Sequence, residues 1–410
     1  MTKTEQKVLA WVKAHGSLLA AVLVSILGMV MRYPLRNIVS SDAAVYLLPW
    51  FAEMKERGGL AALSSQIGDY SILYQFCIAL MTYIPVEPLY QYKLLSVFFD
   101  YLLAAGIAVL VYGLYDGTGN TAKKSRAAER AALVSYALTL CSMIVVMNSA
   151  AWGQCDSIYA ALCIWSMVFL LRERYAGAFV ILGLAFGFKL HAVFIMPFFL
   201  FVYFYRKRFS VLYFVLIPAV MTACGIPGYV MGRKVWEGIT VYVNHLPAGQ
   251  LYMVYPSFWA FLPDVEAGSD GFAFMDFYRY KPMALFFTVA VLAMLIMLLL
   301  YAKPRLEGRQ AVSAAFLLVL STVFFMPVMR DRYGFLYEML AIPVAVLDRK
   351  TIPPALALHI LMYFHYAGRL GQELLPFSMA QFSGMLLILF LWYLMILLHG
   401  MIKENVYAKD

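Results

Sequence analysis

The feature that most restricts this chain is the recurrence of charge-poor apolar runs. About thirteen can be traced, at 17–37, 71–86, 91–115, 131–147, 157–171, 175–190, 192–205, 210–231, 282–302, 311–327, 334–347, 352–366 and 381–400. A helix that crosses a bilayer needs ~20 apolar residues in succession, so a chain of this pattern folds into a membrane-spanning bundle. Charged side chains make up 13% of it, about half the ~25% of a soluble globular chain. The expected fold class is all-α: a polytopic transmembrane helix bundle of about 13 spans, one domain over residues 1–410. The first run passes into Arg32-Tyr33-Pro34 without a small-residue cleavage pattern, so it reads as a retained span and not a signal peptide.

The net charge of +9 sits mostly in short connectors: Lys3/Lys7/Lys13, Lys123-Lys124-Ser125-Arg126 with Arg130, Arg172/Arg174, Arg206-Lys207-Arg208, Lys303/Arg305/Arg309 and Arg349-Lys350. Basic connectors favour the cytoplasmic side. No basic face with interleaved aromatics is left outside the membrane, so no nucleic-acid partner is expected. The opposite side then receives 38–70, 148–156, 189–191, 232–280, 328–333 and 367–380. From residue 116 onward the alternation is self-consistent. Before it, three runs separate two connectors that need an even number of crossings. The run 71–86, short and followed by Pro85 and Pro88, is the candidate for a re-entrant segment.

Two outer loops are long. The first, 38–70, carries Tyr46, Leu47, Trp50, Phe51 and Met54 at helical spacing, the pattern of a helix lying in the interface. The second, 232–280, is rich in aromatics and proline.

Ionisable groups within or beside spans are costly and mark sites. Four clusters qualify, all on the outer side. Asp42, in Ser40-Ser41-Asp42, either caps the helix that follows or acts as a general base on a hydroxyl. The turn Asn148–Ser157 sets Asn148, Gln154, Asp156 and Trp152 around Gly153; it suits sugar hydroxyls, or caps a helix hairpin. Lys189 either faces a phosphate or snorkels from a helix end, and His191 beside it belongs to the site or is a hydrogen-bonded packing residue. Arg330 and Arg332, in Met329–Tyr333, run against the orientation bias; a planar guanidinium suits a phosphodiester, the alternative being an internal ion pair with a carboxylate such as Asp331. Asp69 and Asp156 are reserve carboxylates. The five cysteines form no CxxC pair, and there is no DxD, HExxH, Walker A or GxSxG pattern, so no metal and no cofactor is expected.

The block Asn148–Ser157, followed by Gly183–His191 and Pro197, resembles the N-x-x-W-G-Q-x-D-S and L-A-F-x-F-K-x-Q…P segments of bacterial integral-membrane glycosyltransferases of the GT-C superfamily, relatives of the eukaryotic second GPI mannosyltransferase. The resemblance extends upstream through Asp42, Trp50, Gly58-Gly59, Gly68-Asp69-Tyr70, Tyr74, Lys93 and Phe99-Asp100, and downstream to Met329–Tyr333. It implies an inverting transferase that moves a sugar, often mannose, from a polyprenyl-phosphate donor to an acceptor hydroxyl on a glycan, glycolipid or protein, within membrane lipid at the outer face of a bacterial plasma membrane. Asp42 matches the catalytic carboxylate of that family. Arg332, Arg330 and Lys189 then face the donor phosphate; Asn148, Trp152, Gln154, Asp156, Asp69 and His191 line the sugar or acceptor. This sequence departs from the pattern in Arg330 and Asp331, which replace His and Glu, and in His191, which replaces Gln. A polytopic transporter or lipid flippase is the alternative from another class, and a non-catalytic scaffold a third.

Overall fold

Helix dominates because nearly every segment is apolar enough to leave water and must then satisfy its backbone internally. The computed structural model describes residues 1–115, 121–237, 254–262, 272–371 and 376–407, with no strand among them. An amphipathic α1 (Lys3–Ala14) leads into α2 (Gly16–Arg32). The segment 38–70 folds as a π-helical turn (Ala43–Leu47), α3 (Leu48–Glu56) and a 3₁₀ turn (Gly59–Ser64). There follow α4 (Ile72–Met81), α5 (Pro88–Leu114), α6 (Thr121–Leu140) and α7 (Met143–Val146), which runs into a second π-helical turn (Met147–Ala151). Next come α8 (Asp156–Leu171), α9 (Tyr175–Phe188), α10 (Met196–Arg206), α11 (Leu216–Ala223) and α12 (Ile226–Val230). The chain ends with α13 (Phe272–Ala302), α14 (Arg309–Phe325), α15 (Phe335–Leu347), α16 (Ile352–Gly371) and α17 (Met379–Tyr407).

Among the described residues, four stretches are long and apolar enough to cross a membrane: Gly16–Leu35, Pro88–Leu114, Tyr280–Ala302 and Met379–Ile402. A fifth arises if Ser125–Leu140 and Met143–Ala151, bent by 43°, form one broken span. Seven further apolar helices have 10–17 residues. The expected count of about 13 therefore resolves into a few full-length spans and many short ones, because helices buried against one another need not each match the bilayer. In α14 every residue from Gln310 to Phe325 is buried. An all-round apolar helix of this kind belongs at the centre of a bundle.

The parity problem at the N-terminus has a physical answer. α4 has ten residues, about 15 Å of helix, half of a ~30 Å hydrocarbon core. Gly16–Leu35 and Pro88–Leu114 are the two candidate full-length spans among the described residues before α6.

The first outer loop departs from the expected interfacial helix. Leu47, Phe51 and Met54 are buried in a core cluster with Tyr74, Ile78, Tyr92 and Ile158, while Tyr46 stays exposed. The stripe binds protein because α4 and the start of α5 offer it an apolar wall. The second loop is shorter than the expected 232–280, since Phe272 onward is already helix. Residues 238–253 and 263–271 lie outside the described residues.

Candidate active site

Asp42 is placed by its neighbours. Ser40 Oγ accepts from Ala43 N at 3.2 Å and donates to the Trp152 carbonyl at 2.8 Å. Ser40 is thus the capping residue, and the Asp42 side chain makes no cap bond. Pro49 cannot donate to the carbonyl four residues before it, and the turn just ahead of it widens to i→i+5 bonding, with Leu48 N donating to Ala43 O. The Asp42 carboxylate is left to turn inward. Trp152 Nε1 donates to it at 3.2 Å, Gln154 Nε2 at 2.8 Å and Arg332 Nη1 at 2.7 Å. All three meet Oδ2. Oδ1 takes no hydrogen bond from the described residues, and the side chain keeps 29% of its surface open.

The facing turn is the second π-helical one, closed by Trp152 N donating to Met147 O at 2.8 Å. Gly153 follows at φ +75°, a left-handed conformation that glycine adopts without penalty. That reversal brings Gln154 back toward Asp42. Asn148, Gln154 and Asp156 are all buried. Asn148 Nδ2 donates to Asp156 Oδ2 at 2.9 Å, and Lys189 Nζ pairs with Asp156 Oδ1.

Arg332 joins the two walls. Its Nη1 contacts Asp42, its Nε lies 3.5 Å from Asp156 Oδ2, and its guanidinium sits 4.8 Å from the Trp152 ring centre. Burial opposes the Arg332 charge, but Asp331, Asp156 and Asp42 outweigh it and raise its pKa further above the ordinary arginine value. Carboxylate, guanidinium, carboxylate and ammonium thus alternate through Asp42, Arg332, Asp156 and Lys189. Four segments far apart in sequence meet here.

The other candidates fall around this chain of charges. Arg330 is exposed and forms no ion pair among the described residues. Asp331 turns away, with Oδ2 3.5 Å from Arg369 Nε. His191 stacks edge-on against Tyr333 at 3.9 Å, and neither ring nitrogen has a hydrogen-bond partner. Asp69 is exposed beside Tyr70, whose hydroxyl reaches Gln154 Oε1 at 3.4 Å. Burial holds the Tyr70 hydroxyl well above the usual tyrosine range. In the second loop Tyr255 is buried and bonded to the Tyr337 hydroxyl at 2.6 Å, and Trp259 Nε1 donates to Phe325 O. These two aromatics serve the bundle, and Trp152 lies at Asp42.

Lys93 and Asp100, noticed in the sequence only as part of a resemblance, set the spacing of both walls. They lie with Ser96 on one stripe of α5, about 10 Å apart along its axis. Lys93 Nζ donates to the carbonyls of Leu35, Arg36 and Ile38, pinning the turn that leads to Asp42. Asp100 pairs with Arg32 at 2.8 Å and accepts from Ser149 and Ser157, the two ends of the facing turn. The signal was present: two charges seven residues apart in a span. Their partners lie in other segments, which one-dimensional spacing does not reveal.

The arrangement offers one carboxylate oxygen for a proton, cations for a departing anion and an indole face beside them. The described residues hold no group of three or more His, Cys, Asp or Glu placed to bind a metal ion. The family model of glycosyltransferase family 87, a membrane glycosyltransferase family of GT-C type, matches residues 70–327, more than half of the chain. The match takes in Asn148, Trp152, Gln154, Asp156 and Lys189; Asp42 lies upstream of it and Arg332 just beyond its end. No comparison points to the second GPI mannosyltransferase in particular. No curated protein matches the chain.

Proposed function

The chain belongs to glycosyltransferase family 87, and on that premise we propose that it transfers mannose from a polyprenyl-phosphate donor to an acceptor hydroxyl at the outer face of a bacterial plasma membrane. The acceptor is a glycan, glycolipid or protein. The observation that carries this reading is the asymmetric Asp42 carboxylate: three donors hold Oδ2, Oδ1 is open, and the same Arg332 that grips Oδ2 reaches toward Asp156.

Transfer is a single displacement with inversion. The acceptor hydroxyl gives its proton to Asp42 Oδ1 as its oxygen bonds to the anomeric carbon. The bond from that carbon to the phosphate oxygen breaks, and the electron pair leaves on the polyprenyl phosphate. Arg332 supplies donors to that phosphate in a fork that suits it. A phosphate contacting Arg332 competes with Asp42 for the guanidinium, so donor binding loosens the ion pair and frees the Asp42 carboxylate when the base is needed. Lys189 adds charge, and Asn148, Gln154 and Trp152 receive the sugar. Cations aimed at the leaving group carry its charge without a metal.

The test uses purified protein in lipid nanodiscs, given radiolabelled mannosyl polyprenyl phosphate with a mixed set of glycan and glycolipid acceptors. Labelled product is expected from wild type and not from folded Asp42→Asn. Transfer from a nucleotide sugar with the lipid-linked sugar untouched overturns the donor class. Movement of intact lipid-linked sugar across vesicles with no product overturns the transferase reading.

A further inference from the structure

A second cavity, of about 1340 Å³, lies between α2, α6, α7, α15 and α16. It is larger than the ~300–1,000 Å³ of an ordinary small-molecule site. Its walls include Val134 and Leu138 from α6 and the exposed stripe Ile352, Leu356 and Ile360 from α16. Against these apolar walls stand three arginines, Arg126 and Arg130 one turn apart in α6 and Arg349 just before α16. All three are exposed, and none pairs with a carboxylate among the described residues. On the same wall His359 Nε2 is buried without a hydrogen-bond partner.

This place is distinct from the Asp42 site. Tyr366, near the far end of α16, packs on Trp152 with ring centres 6.0 Å apart. The helix from Ile352 to Tyr366 separates the arginine end from that contact by about 21 Å.

We propose that this groove is a binding site for an anionic phospholipid of the opposite leaflet, its phosphate held by Arg126, Arg130 and Arg349 and its acyl chains laid along α6 and α16. The apolar walls face the bilayer, so the occupant enters sideways from it. Unpaired arginines at the mouth select negative headgroups over zwitterionic ones, since basic pockets between spans recognise acidic lipid. A free phosphate would satisfy the arginines and leave the rest of the groove bare. The inference does not depend on which sugar is moved, or on whether any is.

The test is native mass spectrometry of the full chain reconstituted with equal phosphatidylglycerol and phosphatidylethanolamine. Wild type is expected to retain phosphatidylglycerol preferentially. The Arg126→Gln/Arg130→Gln/Arg349→Gln variant is expected to lose on the order of 100-fold in retention, the effect of three basic side chains near a lipid surface. Ala345→Trp, which pushes an indole into the groove and leaves the arginines in place, is expected to lower retention as well. Equal retention of both lipids, unchanged retention by the folded triple variant, or preferential capture of an added polyprenyl phosphate each overturns the proposal. So does inorganic phosphate alone if it binds by calorimetry and displaces the lipid.

Discussion

Arg332 donates to Asp42 at 2.7 Å across 290 residues of sequence, so the proposed base and the proposed phosphate ligand are held against each other before substrate arrives. Replacing either has consequences for both. Asp42→Asn keeps the shape and can still accept from Trp152 and Gln154 through its carbonyl oxygen, but has no basic oxygen for a proton. Loss of a general base costs about 10²–10⁴-fold in rate. That loss is expected in kcat, with melting temperature little changed and donor KM unchanged or lower, because the phosphate no longer competes with a charged Asp42 for Arg332. A variant that keeps wild-type kcat removes Asp42 from the chemistry.

Arg332→Lys separates charge from geometry. A lysine ammonium is a point charge without the planar fork, and it cannot contact Asp42, Asp156 and the Trp152 face together. Transfer is expected to fall by about 10²–10³-fold, the scale for removing a transition-state donor. The donor KM should rise as well, because the phosphate loses its bidentate partner. Steady-state kinetics with donor varied at saturating acceptor measures both.

Asp100→Ala breaks a buried pair and leaves Arg32, which is 3% exposed, uncompensated inside the bundle. One-sided loss of such a pair costs about 3–5 kcal/mol. A clear drop in melting temperature is expected, and it should be largely recovered in Asp100→Leu/Arg32→Met, where both charges go. Activity should not return in the double variant, because Ser149 and Ser157 lose the carboxylate that sets their turn. Recovery of both together would reduce Asp100 to packing.

Gly153→Ala tests backbone rather than space. A methyl group there comes no closer than 3.9 Å to Leu47 or Lys93, so no clash arises, but the left-handed conformation costs a residue with a Cβ about 1–2 kcal/mol. A small fall in stability is expected with a larger fall in kcat, since Gln154 and the Trp152 indole both hang from that reversal. Thermal melting and single-turnover rates distinguish the two effects.

Sequence carried some of this and missed the rest for identifiable reasons. The all-helical membrane class followed from the apolar runs, and the polar turn around Trp152 stood out because so many polar groups at that depth need a reason. Asp42 was read as either a cap or a base, and the structure assigns the cap to Ser40 by a hydrogen bond that no pattern reveals. Of two arginines equally anomalous in the sequence, Arg332 faces inward and Arg330 outward; the local backbone decides that, and composition does not. About 13 spans were expected, and four or five of the described helices are long and apolar enough to cross, because apolar character measures contact with lipid or protein alike: α14 is mostly apolar, and every residue from Gln310 to Phe325 is buried. The apolar stripe of 38–70 meets protein at Leu47, Phe51 and Met54 for the same reason.

The stripe on α5 has a mechanical consequence. Because Lys93 grips the turn before Asp42 and Asp100 grips the turn around Asn148, both jaws of the cleft are bolted to one rod. Bilayers of different thickness make a spanning helix lean, and a leaning rod carries its two attachments with it as a rigid frame. The gap between the jaws is thereby insulated from the membrane around it, and the cleft keeps its width where two independently anchored loops would drift.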